Sequence, residues 1–333
     1  QKNKGDNVVP ENLKVGVSDA ISFPDLDKKK SLELLSDTVT GRELYQNLRT
    51  LIFISDVATD MIQGAVDFIH GEEITGPVSF SYKSPDDGSV KYLEVQQNFV
   101  YRKEQWQFGL TVNDEKEGKG LLVVWNLSPL RVIAVLHPGA YNTRTVFHRN
   151  SLIRVEYSED DPIYDRTMTV SISGLDSVNI DYISKLKVFF GEKGDIVYLF
   201  GDYNMPYAYL LNPDMRGRSW CFKAKNNVKL DIAVARVAMP HVTLSDVNTL
   251  WTNYSLDKVL TEEMTAVYPL LDTATVETYV QDAVGNAYFV GRQGFVSNDD
   301  VIPDAEGFTS DFIDLSGLNP WPPAEVETMT IEF

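Results

Sequence analysis

The chain has 333 residues, of which 43% are apolar and 23% charged. That composition excludes a disordered or fibrous protein and suffices for a large core. Asp and Glu number 48 against 30 Lys and Arg, a formal charge of −18; the field repels phosphate backbones, so no nucleic-acid partner is expected, and it opposes electrostatic docking on anionic lipid.

Residues 1–40 read as a tether and N-terminal loop. The start, Gln1-Lys2-Asn3-Lys4-Gly5-Asp6-Asn7, is polar and does not begin with Met, and Lys28-Lys29-Lys30 is a solvated charge run. Such an opening fits either an exported chain from which a targeting segment has been removed or a cytosolic chain trimmed at its start. Asn7-Val8-Val9-Pro10-Glu11-Asn12-Leu13-Lys14-Val15, followed by Ser18-Asp19-Ala20-Ile21-Ser22, resembles the mature start of uncharacterised cell-envelope lipoproteins of Bacteroidetes type. The resemblance implies a lipidated Cys just before Gln1, so that the membrane is met through an N-terminal lipid anchor. It implies a place in the cell envelope, on the periplasm-facing or the surface side of the outer membrane, and no particular activity. Asp-Thr/Ser-apolar triplets of the O-glycosylation kind stand at Asp37-Thr38-Val39, Asp176-Ser177-Val178 and Asp272-Thr273-Ala274, at a frequency that chance nearly supplies.

Thr40-Gly41-Arg42-Glu43 has the form of a capping box. Leu44, Leu48, Leu51, Ile52, Ala58, Ile62, Ala65, Val66 and Ile69 then recur at helical steps, and Gly71 ends the pattern after His70. Ile54, Val57, Met61 and Phe68 widen the apolar surface beyond one stripe, which predicts a helix covered on more than one side.

After the helix the period changes to two. Val78, Phe80 and Tyr82 alternate before the turn Ser84-Pro85-Asp86-Asp87-Gly88, and strands are predicted over 90–102, around Trp106 to Val112, over 121–125 and over 131–136. The connections are too short for crossover helices, so these strands form an antiparallel meander. Further strands are predicted at 151–157, 166–173, 184–190, 195–201, 206–211, 218–224 and 228–238, with Ala287-Tyr288-Phe289-Val290 as a late strand. Pro240 interrupts the run, and short helices are predicted around Ser245 to Trp251 and Val276 to Val280.

The expected fold is α+β: a long N-terminal helix covered by a strongly curved, half-barrel-like antiparallel meander, with a mixed C-terminal segment. The expected organisation is a tether and loop over 1–40, a helix-plus-sheet domain over 41–240 and a mixed segment over 241–333 packed on the same body.

Catalytic signatures are sparse. The histidines are His70, His137, His148 and His241, and no two share a metal-ligand spacing. There is no nucleophile elbow, phosphate loop or dinucleotide fingerprint. The single cysteine, Cys221, lies among apolar neighbours and reads as a small buried hydrophobe. Acidic pairs such as Asp160-Asp161 and Asp299-Asp300 read as solvated loops, although a glycosidase needs only two carboxylates at the right separation. No catalytic residue and no resident cofactor are therefore expected.

Two kinds of binding residue stand out. Trp106 and Trp125 read as core, whereas Trp220, Trp251 and Trp321 are candidates for contact with a ligand. From residue 293 onward there is no Lys or Arg, and the acidic tail also carries Phe308, Phe312, Leu315, Leu318 and Trp321. The tail is therefore predicted to dock apolar side chains on the body with its carboxylates outward. Asp300, Asp304 and Glu306 are candidate calcium ligands within it.

Two functions fit. One is a non-catalytic envelope lipoprotein that binds an apolar or amphiphilic ligand between helix and sheet, or serves an outer-membrane assembly. The other is a surface protein that binds or processes glycans. A deep apolar cleft along residues 44–69 would favour the first; a groove of exposed aromatics and carboxylates would favour the second.

Overall fold

The computed structural model describes residues 12–19, 21–22, 41–71, 76–145, 149–174, 185–205, 218–238, 284–290, 294–295, 307–319, 321 and 323–333. The chain divides into two compact units. The first comprises Gln1–Val15, Asp56–Asp181 and Thr330–Phe333, and the second Gly16–Ser55 and Tyr182–Met329.

The first unit is an antiparallel meander of β1 (Val78–Lys83), β2 (Val90–Tyr101), β3 (Glu104–Asp114), β4 (Gly118–Leu127), β5 (Leu130–Leu136), β6 (Leu152–Ser158) and β7 (Arg166–Ser173). Each strand pairs with the next in chain order. Val95, Leu110, Val123, Ala134, Val155 and Val170 stand in register across β2 to β7 and are all at most 2% exposed. This row results from period-two alternation carried from strand to strand, and β-branched side chains suit the pleat. Gly109 has a steric reason: a Cβ there would lie 2.2 Å from the Phe99 ring, so only glycine lets that ring cross β3.

Residues 56–71 of the helix α1 (Gly41–Gly71) belong to this unit. Ala58, Thr59, Ile62 and Val66 are buried, and the Thr59 hydroxyl lies 3.8 Å from Met168 Sδ on β7. The N-terminal segment joins the same core. Leu13 and Val15 are buried, the Leu13 amide donates to Gln63 Oε1 at 2.9 Å, and Lys14 Nζ lies 3.2 Å from both Asp56 and Asp60. At the other terminus, Ile331 is buried and the Tyr101 hydroxyl donates to the Glu332 carbonyl at 2.7 Å.

The second unit contains β8 (Lys185–Lys193), β9 (Ile196–Met205), β10 (Arg218–Asn227), β11 (Ile232–Ala238), β12 (Val284–Val290) and β13 (Gly294–Phe295), again antiparallel in chain order. One face buries Leu186, Val188, Phe190, Leu199, Phe222 and Ala233. The other receives the C-terminal tail, with its short helices α3 (Ser310–Ile313) and α4 (Pro323–Thr328). Phe312, Leu315 and Leu318 form a buried cluster with Ile232 and Val234, as the apolar residues of the tail predict. Thr309 caps α3 by accepting from the Phe312 amide. Gly307 has φ +97 and leaves no room for a Cβ beside Leu230 and Ile232.

These findings correct the expected fold class. The described chain is mostly antiparallel sheet, and the α+β body with a helix enclosed in a half-barrel is not formed. Among the described side chains of α1, Leu48, Ile52, Ser55, Ala58, Thr59, Ile62 and Val66 are buried, one stripe at helical spacing. Phe53, Val57 and Met61, off that stripe, are 43%, 40% and 36% exposed. A helix with a bare flank has not been wrapped, however apolar that flank is. Among the described residues β1 pairs with β2 alone, so the meander keeps an open edge instead of closing. Within the C-terminal segment, β12 extends the antiparallel order by pairing with β11. No described helix is long and apolar enough to cross a membrane.

Candidate functional site

A dense polar constellation lies at one end of the first unit, where the β1–β2 turn, the β3–β4 turn and the segment around α2 (Pro138–Tyr141) converge. Lys91 is its centre. It sits on β2 in phase with Leu93 and Val95, facing the core, and its side chain is 1% exposed. Its ammonium donates to Asp114 Oδ2 at 2.8 Å, Asp87 Oδ2 at 3.1 Å and the Ala140 carbonyl at 2.9 Å. Three acceptors match the three protons of an ammonium.

The carboxylates are held as firmly. Asp87 accepts from the Ser89 amide at 2.9 Å, the Ser89 hydroxyl at 2.8 Å, and the Thr143 amide and hydroxyl at 2.7 and 3.0 Å. Asp114 Oδ1 accepts from the amides of Lys116 and Glu117, each at 2.8 Å. Burial pushes the Asp87 carboxyl up, but the amides of Thr143 and Ser89, the Ser89 hydroxyl and Lys91 outweigh it and hold the group well below the usual carboxylate range. Burial likewise opposes the charge on Asp114, and Lys91 with the amides of Glu117 and Lys116 again reverses the balance. A general acid needs a carboxyl that keeps its proton near neutral pH. These two are lowered instead and stay ionised near neutral pH, and their hydrogen bonds tie three loops together.

A second constellation lies on the tail-facing side of the second unit. Lys187 on β8 pairs with Glu325, and its Nζ lies 4.2 Å from the centroid of the Trp321 ring. Trp321 meets Phe200 edge-on at 4.8 Å, and Phe200 stacks on Phe189 at 4.7 Å. Lys185 donates to the Met329 carbonyl and Lys225 to the Asp311 carbonyl, both at 2.9 Å. Burial lowers the Lys225 ammonium, partly offset by Asp314 and Asp311. The acidic tail thus lies along a row of lysines, and one of its carboxylates, Glu325, is engaged there rather than pointing only to water.

Of the three candidate tryptophans, Trp321 is half-buried against Phe200 and Lys187 of its own chain. Trp220 lies on β10 opposite Tyr203 of β9. Trp251 and the candidate calcium ligands Asp300, Asp304 and Glu306 lie outside the described residues. Trp106 and Trp125 are 1% and 0% exposed, with Trp125 stacked on Phe108 at 5.3 Å. Among the described residues no group of three or more His, Cys, Asp or Glu is placed to hold a metal ion.

Sequence reasoning missed Lys91, Asp87, Asp114 and Thr143. One local signal existed: Lys91 occupies a core-facing phase of the β2 alternation, and a lysine there requires buried acceptors. Comparison with family models, curated proteins and solved structures finds no match for the chain.

Proposed function

We propose that the protein is a non-catalytic cell-envelope lipoprotein that acts by binding, as an accessory of an outer-membrane assembly or as a carrier of an apolar or amphiphilic ligand. The observation that carries the non-catalytic part is the state of Asp87 and Asp114. They are convergent buried carboxylates, and Lys91 and surrounding amides keep both ionised and saturated. Paired carboxylates that do glycoside chemistry are held at different pKa values around an open substrate position; here the space between them is filled by an ammonium. The envelope part rests on the resemblance of residues 7–22 to the mature starts of such lipoproteins.

Native mass spectrometry of protein purified from the membranes of its own host tests both parts. A mass showing an acylated Cys before Gln1, with a ligand or partner retained, is the expected result. Recovery from the cytosol without an acyl group refutes the reading.

One surface favours the glycan-binding alternative. Tyr92 is 49% exposed on β2, with Ser81 and Asn113 in register on either side. An aromatic face flanked by hydroxyl and amide groups suits a sugar ring, and binding on a glycan array that Tyr92→Ala abolishes would establish that reading instead.

A further inference from the structure

The tail-facing side of the second unit carries lysines and aromatic rings in register. Lys185 and Lys187 alternate on β8, and Lys223 and Lys225 on β10, with Tyr198 and Phe200 of β9 between them. Phe200 stands opposite Phe189 and Lys223, and Tyr198 opposite Lys225. Lys225 Nζ lies 5.6 Å from the centroid of the Tyr198 ring. The same register places one carboxylate, Asp202, opposite Lys187. The lysines outnumber it, which leaves a basic, aromatic face on a chain whose formal charge is −18.

What covers this face is the chain's own tail from Gly307 to Met329, a stretch of acidic and apolar residues without Lys or Arg. Lys185 and Lys225 hold main-chain carbonyls of the tail, those of Met329 and Asp311. Such contacts grip a peptide backbone whatever its side chains. Lys187 takes the charge-bearing and aromatic side chains, Glu325 and Trp321. The helices α3 and α4 have four and six residues, too few to be stable alone. The tail therefore takes its shape from the face, as a peptide ligand does on binding. The lysine contacts span 86, 138 and 144 residues, so no local turn presses the tail onto the sheet.

We propose that this face is a docking site for an acidic, aromatic segment of a partner protein, and that the tail closes it from within as an intramolecular ligand. Charge complementarity selects such a segment: the chemistry of the cover already in place is that of the partner it excludes. A tethered segment stands at an effective concentration on the order of millimolar, so the tail sets a threshold that a partner must exceed. The proposal rests on the accessory reading, to which it gives a surface and a partner chemistry, and it does not need the lipid anchor.

The test is fluorescence anisotropy on the full chain with two labelled peptides, one of residues 307–329 and one unrelated, of alternating Asp, Phe and Trp. The wild type binds both weakly, because its own tail competes. Leu315→Asp/Leu318→Asp expels the tail from its cluster with Ile232 and Val234 and binds both about a hundredfold more tightly, as removal of a tethered competitor predicts. Adding Lys187→Glu/Lys225→Glu lowers that affinity about tenfold or more, and salt weakens it as well. Trp321→Ala/Glu325→Lys leaves the apolar cluster intact, raises binding in the same direction, and decides the matter if the first variant does not fold. The proposal is overturned if only the tail peptide binds, if binding survives the lysine substitutions, or if releasing the tail brings no gain. Dimers formed by exchange of tails on size exclusion overturn it too. Peptide binding by a chain that carries no acyl group in its host refutes the anchor and keeps the docking site.

Discussion

Replacing Lys91 by Met isolates the contribution of the buried ammonium, because Met retains most of the apolar stem and removes the charge. The variant loses the contacts at 2.8, 3.1 and 2.9 Å to Asp114, Asp87 and Ala140. It leaves two carboxylates facing each other at 1% and 0% side-chain exposure. Breaking a buried ionic cluster by removing one partner costs about 3–5 kcal/mol, most of it the desolvation of the charge left behind. Urea unfolding followed by tryptophan fluorescence reads this loss, since Trp106 and Trp125 are buried in the same unit. The dependence on pH is the sharper criterion. In the wild type both carboxyls lie below their unfolded values. Their contribution is complete above the unfolded pKa near about 4 and fades as pH falls below it. In Lys91→Met the same carboxyls lose one of the partners that lower them while their amide donors remain, so they titrate higher than in the wild type and the deficit against wild type narrows as pH falls through the carboxylate range. Adding Asp114→Asn restores part of the loss at pH 7, since Asn Oδ1 still accepts from the amides of Lys116 and Glu117. A deficit below about 1 kcal/mol, or one that widens on acidification, refutes the account of the cluster.

Gly109→Ala drives a Cβ into the Phe99 ring and lowers stability by about 1–3 kcal/mol in the same urea experiment; if Phe99→Ala does not relieve the added penalty, the clash is not its cause. Leu48→Ala or Ile62→Ala, both at 0% exposure, costs about 2–5 kcal/mol, while Met61→Ser on the bare flank stays within about 0.5 kcal/mol; equal losses at buried and bare positions would mean that α1 does not bury a single stripe.

Strands were the most legible part of the fold, because period-two alternation is local. Residues 166–173 are predicted and found as β7 (Arg166–Ser173), and 90–102 as β2 (Val90–Tyr101). The segment 206–211 lies outside the described residues. The helical pattern shows where apolar residues fall but not what covers them. Leu48 and Ile62 are buried while Val57 and Met61, equally apolar on paper, are 40% and 36% exposed, because packing partners are a property of the whole chain. The partners of Lys91 were illegible for a related reason. Asp114 is 23 residues from Lys91 and Ala140 is 49, and only the register of the meander brings them to one end. The lysine row under the tail depends on contacts across longer separations still: 138 residues from Lys187 to Glu325 and 144 from Lys185 to Met329.

Loops rich in Asp and backbone carbonyls are commonly fastened by a divalent ion, and their integrity then follows the concentration of that ion. Lys91 supplies the fastening cation as part of the polypeptide. An ammonium on β2 cannot be diluted, chelated or exchanged, and its effective concentration beside Asp87 and Asp114 is fixed when the strand pairs. The polar end of the meander therefore holds its shape independently of ambient calcium or magnesium. What releases it is acid, strong enough to protonate carboxylates that the fold has made unusually reluctant to accept a proton.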